Sequence, residues 1–375
     1  MSHPVVVVGA GLSGLQASCL LQQAGLRVLL VEADGRAGGR VMSAGGGAGA
    51  HRVDMGPSWF WPDMNPRVER LVQQLQLDHF PQFTEGASLV EAPDGQLYKR
   101  MAGWSQGSQR IRGGTQALVE ALLARLTDQV QLKLGTRLLS MALQADGVAL
   151  TLQGVAGTWT QLAAQVIVTL PPRLFAQDLA CSPAWPGELM QAMHATPTWM
   201  AGHAKFAAVY AQPFWREAGL SGMAMSQRGP MSEIHDASDE HGATAALFGF
   251  VGAAPGYRAG VGREALMQQS LAQLVRLFGP QAATPLWCDL KDWAQAPLTA
   301  TPADHRPLSH HPAYQQAVVP EPWRQRVWLA GTERSAQFGG YLEGALDSAE
   351  RAVEGLLARR RVDALGEHGL PNMTE

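Results

Sequence analysis

The stretch Val5–Glu32, VVVVGAGLSGLQASCLLQQAGLRVLLVE, decides the fold. Val5–Val8 is an unbroken β-branched run, the pattern of a parallel strand buried on both faces. Gly9, Gly11 and Gly14 follow in G-x-G-x-x-G spacing, then an apolar helix ending near Gly25 and a second strand, Leu26–Val31, closed by Glu32. Gly9 permits the tight turn, Gly11 lets a pyrophosphate approach the backbone, and Gly14 lets helix and strand pack closely. The helix start adds unpaired N–H groups for the anion. Glu32, 18 residues past Gly14, is placed to accept hydrogen bonds from an adenosine ribose. The motif alone is weak, because glycine-rich turns produce it by chance. Its setting between strand and helix, with an acid ending the second strand, indicates a dinucleotide site. The competing reading is a βα turn with no ligand.

At 375 residues the chain has room for two domains, or one with a second inserted. A net charge of −3 gives no bulk attraction to nucleic acid or an anionic membrane. Cys19, Cys181 and Cys288 are scattered without metal-ligand spacing and read as reduced thiols of a cytoplasmic protein, with no metal site. The first strand begins within a few residues of Met1, which argues against a signal peptide, and no apolar run is long enough for a membrane span. Ser43–Ala50 and Gly366–Glu375 are the plausibly mobile pieces.

Past Glu32 and Ala33, the segment Gly35-Arg36-Ala37-Gly38-Gly39-Arg40 sets paired glycines beside arginine, a loop suited to phosphate. Here the chain resembles a known family. GAGLSGL followed by EADGRAGGR is similar to the start of the flavin-containing amine oxidases, the group of monoamine oxidase, polyamine oxidase and L-amino-acid oxidase. These are relatives of protoporphyrinogen oxidase and phytoene desaturase. The resemblance implies FAD in place of NAD, with Ser13, Glu32, Ala33, Gly39 and Arg40 at its AMP and diphosphate parts. Asp54-Met55-Gly56-Pro57-Ser58-Trp59 resembles the family segment that passes along the flavin ring, so Gly56, Pro57, Ser58 and Trp59 are expected there.

Asn65-Pro66 reads as N-cap and first residue of a helix whose buried stripe is Val68, Leu71, Val72 and Leu75. Leu89–Val90, Pro93-Asp94-Gly95 and Leu97–Tyr98 read as a hairpin. Arg112–Thr115 opens a helix over 116–126. Strands are expected at Val130–Leu134, Leu138–Leu143, Gly147–Leu152 and Thr158–Leu162, including a three-stranded antiparallel meander, and at Val166–Leu170 before Pro171-Pro172. Leu138 resembles the residue whose main chain bonds the adenine.

From Arg173 to about Pro320 the composition shifts to Trp, Met and Pro. Trp199–Tyr210 reads as a strand holding Lys205, costly to bury without a partner. With Pro213-Phe214-Trp215 it resembles the family segment whose lysine binds a water at flavin N5. Ser232–Asp236 and Leu247–Gly252 read as strands of one sheet. His235 and Asp236, being consecutive, face opposite ways and cannot share a site, so His235 reads as structural or as part of a rim. Glu264–Phe278 reads as an amphipathic helix.

The family carries a tryptophan at the Trp293 position and, in several members, a flavin-bonded cysteine and then a cage tyrosine further on. Pro302 and Ala303 stand at those places, so the resemblance implies non-covalent FAD and a missing or rebuilt cage wall. Gly331-Thr332-Glu333 and Gly339-Gly340-Tyr341-Leu342-Glu343-Gly344-Ala345 form the second motif. A strand ends at Gly331 and a long helix, 342–360, starts past Gly340, its N–H groups directed at an anion. In the family that anion is the N1–C2=O edge of the flavin. Gly331, Thr332, Glu333, Gly340, Leu342 and Ala345 are the expected cofactor contacts, and Tyr341 matches the second cage aromatic.

The expected fold is α/β: a Rossmann-like, three-layer FAD-binding domain (1–60, 108–172 and 322–361) of parallel sheet plus antiparallel meander. An α+β substrate domain on a mixed sheet is inserted (61–107 and 173–321), with a tail at 362–375. The resemblance implies an oxidase moving hydride from an amine α-carbon to flavin N5, with Lys205, Tyr341 and Trp293 at the reacting centre. O2 is the expected acceptor and H2O2 the product. Desaturase-type oxidation of a larger substrate, or a low-turnover FAD-bound interaction protein, stands as the alternative. The substrate domain is shorter than in the larger oxidases, which leaves a more open site, or one closed by a partner in a homodimer.

Overall fold

The computed structural model describes residues 3–45, 52–101, 107–306, 308, 310–315 and 317–367. It comprises two compact units. One holds Met1–Gly39, Leu122–Thr196 and Ala313–Glu375, the other Arg40–Ala121 and Pro197–Pro312. The expected FAD domain included 40–60 and 108–121. By contact these residues group with the second unit, where Val53 and Met55 pack on its sheet and Arg110 donates to Ser238 O.

In the first unit five parallel strands lie in the order Val327–Leu329, Gln165–Val168, Val5–Val8, Val28–Val31, Val130–Lys133. All four residues of Val5–Val8 are buried, as a two-faced strand requires. Val6, Val8, Leu29, Val31, Val166 and Val168 pack on one side against Met141, Val148, Leu150 and Leu152 of the meander. The meander strands are Arg137–Gln144, Gly147–Gly154 and Gly157–Ala163, with Ala180–Ser182 added in parallel at the edge. On the other side run the helices Leu12–Gln23 and Leu342–Glu367, packed on each other. The expected three layers are therefore present in this unit. The last helix runs past Arg360 to Glu367, helped by an i,i+4 pair between Arg359 and Asp363 at 2.8 Å. Of the expected tail, 362–367 is thus helical, and 368–375 lies outside the described residues, as does 46–50 of the glycine-rich stretch.

The second unit is built on a seven-stranded mixed sheet, in the order Trp287–Asp292, Ala204–Tyr210, Ala245–Val251, Met231–Asp236, Leu220–Ser226, Ala87–Glu91, Leu97–Arg100. All neighbours are antiparallel except Leu220–Ser226 with Ala87–Glu91. One face packs Phe206, Ala208, Ile234 and Leu247 against Leu266, Leu274, Leu277 and Phe278 of the Arg263–Phe278 helix. The other packs Ala207, Val209, Ala246 and Phe248 against Val53 and Met55.

Two local expectations change. The strand holding Lys205 starts at Ala204 rather than Trp199, because Met200 takes a left-handed φ of 63° and His203 N–H donates back to Met200. Asn65 precedes the Pro66–Gln74 helix but its side chain does not cap it. Its Oδ1 accepts the Trp61 N–H at 2.9 Å, closing the preceding turn.

Candidate active site

In the first unit the glycine turn has the geometry its sequence demands. Gly9 has φ 99°, and a Cβ there would stand 2.4 Å from Thr169 Oγ1. A Cβ on Gly14 would lie 1.8 Å from Gly9 O, so helix and turn are in backbone contact. Gly11 differs: an added Cβ meets nothing nearer than Gly38 O at 4.0 Å. Open space therefore lies over the start of the Leu12–Gln23 helix, which no side chain caps. Gly39, with φ 56°, arches over this turn, and its own Cβ would fall 3.3 Å from Gly11 Cα. Arg36 donates to Ala37 O and Gly39 O, bracing that loop.

Glu32 accepts the N–H of Ala10 at 2.7 Å and of Asp34 at 2.8 Å, one on each oxygen, which pins the end of the second strand to the turn. Burial raises its pKa against these bonds. Each carboxylate oxygen keeps a lone pair for a hydroxyl donor. Ala33 follows, half-buried. Leu138 is buried and its main chain lies in the meander opposite Leu152, where the register slips before Ser140.

The second motif meets the first inside this unit. Gly331, at φ 97°, donates its N–H to Ser13 Oγ at 3.0 Å, and Ser13 Oγ lies 3.4 Å from Ser348 Oγ of the last helix. The Ser13 hydroxyl thus couples two segments more than 300 residues apart. Having accepted from Gly331, the hydroxyl keeps its own O–H as a donor. Thr332 Oγ1 donates to Tyr341 O at 2.8 Å, shaping the loop through Gly340 into the helix. A Cβ on Gly344 would stand 2.1 Å from Phe338 O, which fixes that close turn. Glu333, Leu342 and Ala345 are buried, while Tyr341 is 47% exposed.

The second unit holds the lysine. Lys205 is only 2% exposed. Its Nζ donates to Ser58 Oγ at 2.7 Å and Gly56 O at 3.1 Å, and lies 3.7 Å from the Phe248 ring centroid. Burial pulls its pKa down to about 7, while Asp54 acts against the fall. Both Lys205 partners come from the segment expected to pass along a flavin. Pro57 O accepts from Thr115 Oγ1, and Trp59 Nε1 donates to Gln82 Oε1 at 2.7 Å. Trp293 is buried and donates Nε1–H to Met55 O at 2.9 Å, which brings it to the same segment. Arg40 is half-buried and directly follows Gly39 in the chain.

Sequence reading missed three supports. Asp54 Oδ1 accepts from Ser43 Oγ, Thr115 N and Thr115 Oγ1, and its Oδ2 is buried without a partner. The D-x-G pattern that drew attention to its neighbours was the available signal. Arg258, 2% exposed, grips Asp292 with two nitrogens and also donates to Gly202 O and Ala253 O, setting the approach to Trp293. Nothing in the local pattern marks it. Finally, His235 is more than a packed ring: its Nε2 meets Glu233 Oε1 at 2.6 Å, and it lies against Trp59 and Phe248.

Because the Asp54 charge favours the ammonium form of Lys205, Asp54→Asn should move the lysine's titration to lower pH. A pH profile of flavin reduction by stopped flow reads this directly; a limb that stays in place or moves upward contradicts it.

Among the three thiols, the one that shares a unit with Lys205 projects from the opposite face of its sheet. Cys288 packs on the helix-covered face of the sheet, while Cys19 and Cys181 sit within the first unit, where burial pushes them to about 11 and about 12. Among the described residues no helix is long and apolar enough to cross a membrane, and no group of His, Cys, Asp and Glu could hold a metal.

Residues 95–357 match the flavin containing amine oxidoreductase family, and residues 7–75 the NAD(P)-binding Rossmann-like domain. A putative flavin-containing monoamine oxidase of Mycobacterium tuberculosis is 30% identical over 65% of this chain and 51% of its own. The chain thus spans about half the length of the first such curated relatives. Flavin-containing amine oxidase A of Sus scrofa is 22% identical over 97% of this chain and 85% of its own. Among solved structures, a putrescine oxidase triple mutant superposes with a TM-score of 0.78 at 20% identity, covering 96% of this chain and 99% of the other. Cyclohexylamine oxidase from Brevibacterium oxydans gives 0.76 at 19%, covering 97% and 100%. With most of its length matched and the glycine-turn architecture in place, the chain belongs to the flavin-containing amine oxidoreductase family and has FAD as its cofactor.

Proposed function

We propose that this chain is an amine oxidase that passes electrons from a small amine to O2 and releases H2O2. The observation that carries the reading is Lys205: a buried lysine, held by Gly56 O and Ser58 Oγ, with a pKa brought to about 7. A group titrating there takes up and releases a proton at working pH, as acid–base assistance requires. When bound, FAD supplies the acceptor for a hydride leaving the amine α-carbon.

The chain's own residues do the rest. Gly11 leaves backbone room for the diphosphate on a turn that Gly9, Gly14 and Gly39 close, and the uncapped helix start offers it N–H donors. Glu32 receives the ribose hydroxyls, and the Leu138 main chain the adenine. The start of the last helix, past Gly340, directs N–H groups at the anionic edge of the ring. Lys205 holds a water and moves its proton, with Trp293 beside it. Tyr341, half-exposed, flanks the substrate. Unpaired thiols at Cys19, Cys181 and Cys288 fit a reducing, cytoplasmic setting.

The solved relatives include a putrescine oxidase bound to putrescine and a cyclohexylamine oxidase, which supports an amine as substrate here. A peroxide-release assay over primary, secondary and polyamines tests the reading. Peroxide in proportion to amine consumed is expected; silence across the panel, with flavin bound, contradicts it.

A further inference from the structure

We propose that Glu233 and the aromatic rings beside it form a subsite for a second positive charge on the substrate, making short diamines the preferred class. This rests on the amine reading above and adds a residue that sets specificity.

The subsite is written into the sheet of the second unit. In its register Lys205 pairs with Phe250, and Phe250 with Glu233. One row on, Ala207 pairs with Phe248, and Phe248 with His235. Residues directly opposite in adjacent strands project from the same face. Lys205, Phe250, Phe248, Glu233 and His235 therefore share one face, and the ring contacts agree. Lys205 Nζ lies over Phe248 and 5.5 Å from the Phe250 centroid, while His235 packs on Phe248 and on the edge of Trp59 at 4.8 Å. Glu233 and Lys205 are two strand spacings apart, about 10 Å at the backbone.

The acid is prepared for a cation. Its Oε1 is fixed by His235 Nε2, a bond that also lowers its pKa, and its Oε2 makes no hydrogen bond among the described residues. Its side chain remains 36% exposed, whereas the ring of His235 is buried. The other acid on this face, Asp289 opposite Ala207, is ion-paired to Arg263. Lys291, opposite Lys205, puts positive charge at the other end of the row. Phe250, opposite Glu233 in the register, and Trp59, against the His235 ring, are both half-buried. A carboxylate with a free oxygen among aromatic rings is the chemistry that receives an alkylammonium.

The experiment compares matched pairs on purified holoenzyme under anaerobic conditions: putrescine against butylamine, and cadaverine against pentylamine, read as flavin bleaching. The wild type should favour each diamine. Glu233→Gln keeps an acceptor for His235 and the side-chain volume, and removes only the charge. It should lower kcat/KM for the diamines by about ten- to a hundredfold, mainly through KM, and leave the monoamines within about twofold. Glu233→Asp should restore part of the preference. A wild type that treats both members of a pair alike, or a Glu233→Gln enzyme that keeps the preference, overturns the subsite. Bound flavin that no amine bleaches overturns the amine reading, and this inference with it.

Discussion

Lys205→Met should retain bound FAD and lose at least about a hundredfold in the rate of flavin reduction or reoxidation, the usual weight of a positioned proton carrier. The substitution removes the bonds to Ser58 Oγ and Gly56 O but fills the space over Phe248 with an apolar chain of similar length. Stability should not fall with activity. A lysine whose folded pKa is depressed to about 7 from 10.5 is a cost to folding, because between those values the unfolded chain holds a proton that the folded one does not. That cost is fully present below about pH 7 and fades as the pH rises toward 10.5. Lys205→Met should therefore gain stability relative to wild type most clearly at neutral and acid pH, less the loss of two hydrogen bonds. The wild-type rate profile should show a limb near pH 7 that the variant lacks. Undiminished reduction and reoxidation in the variant would remove the role assigned to Lys205.

Gly11→Ala and Gly14→Ala should separate cofactor binding from folding. Gly11 has φ −69° and ψ 179°, which alanine adopts freely, and an added methyl group meets no protein atom nearer than 4.0 Å. The variant should fold with a stability within about 0.5 kcal/mol of apo wild type. The same methyl occupies the open space over the helix start, so FAD affinity should drop by about tenfold or more, the order of one lost charge-assisted hydrogen bond. Gly14→Ala instead drives a methyl into Gly9 O at 1.8 Å and should destabilise the fold by about 1–3 kcal/mol or more. Thermal melts with and without FAD distinguish the two. Equal FAD affinity in Gly11→Ala and wild type would mean that the glycine turn is only a tight connection.

Much of this was legible in the sequence because backbone demands leave marks. Val5–Val8 and the glycines after it specify strand, turn and helix together, since only glycine fits where Gly9 turns and Gly14 touches Gly9 O. The hairpin at 87–100 was announced by its Asp94-Gly95 turn, and Gly95 takes φ 87°. What stayed hidden depends on tertiary partners. Leu220–Ser226, LSGMAMS, lacks β-branched residues and alternation, yet it is a buried interior strand because neighbours pair with it on both sides. The loop at 199–203 read as strand from its apolar residues, but Arg258 draws in Gly202 O from a distant helix.

Site residues divide the same way. Lys205 stood out as a charge inside an apolar run, whereas Asp54 and Arg258 act through bonds spanning long sequence separations. His235 was read as structural or as part of a rim from the alternation of strand faces. That alternation holds, since Asp236 faces away to bond Trp215 and Arg216. The rule excludes His235 with Asp236 but allows His235 with Glu233, two residues back, and that is the pair the sheet makes.

The visible spectrum of the purified protein, before and after incubation with excess FAD and then after denaturation, tests the central claim most directly. The claim is that the glycine turn at Gly9–Gly14 and the loop from Gly331 to Gly340, coupled through Ser13, bind one FAD without a covalent bond. The account predicts a yellow protein carrying one flavin per chain and releasing all of it on denaturation. Protein that stays colourless in excess FAD would contradict it.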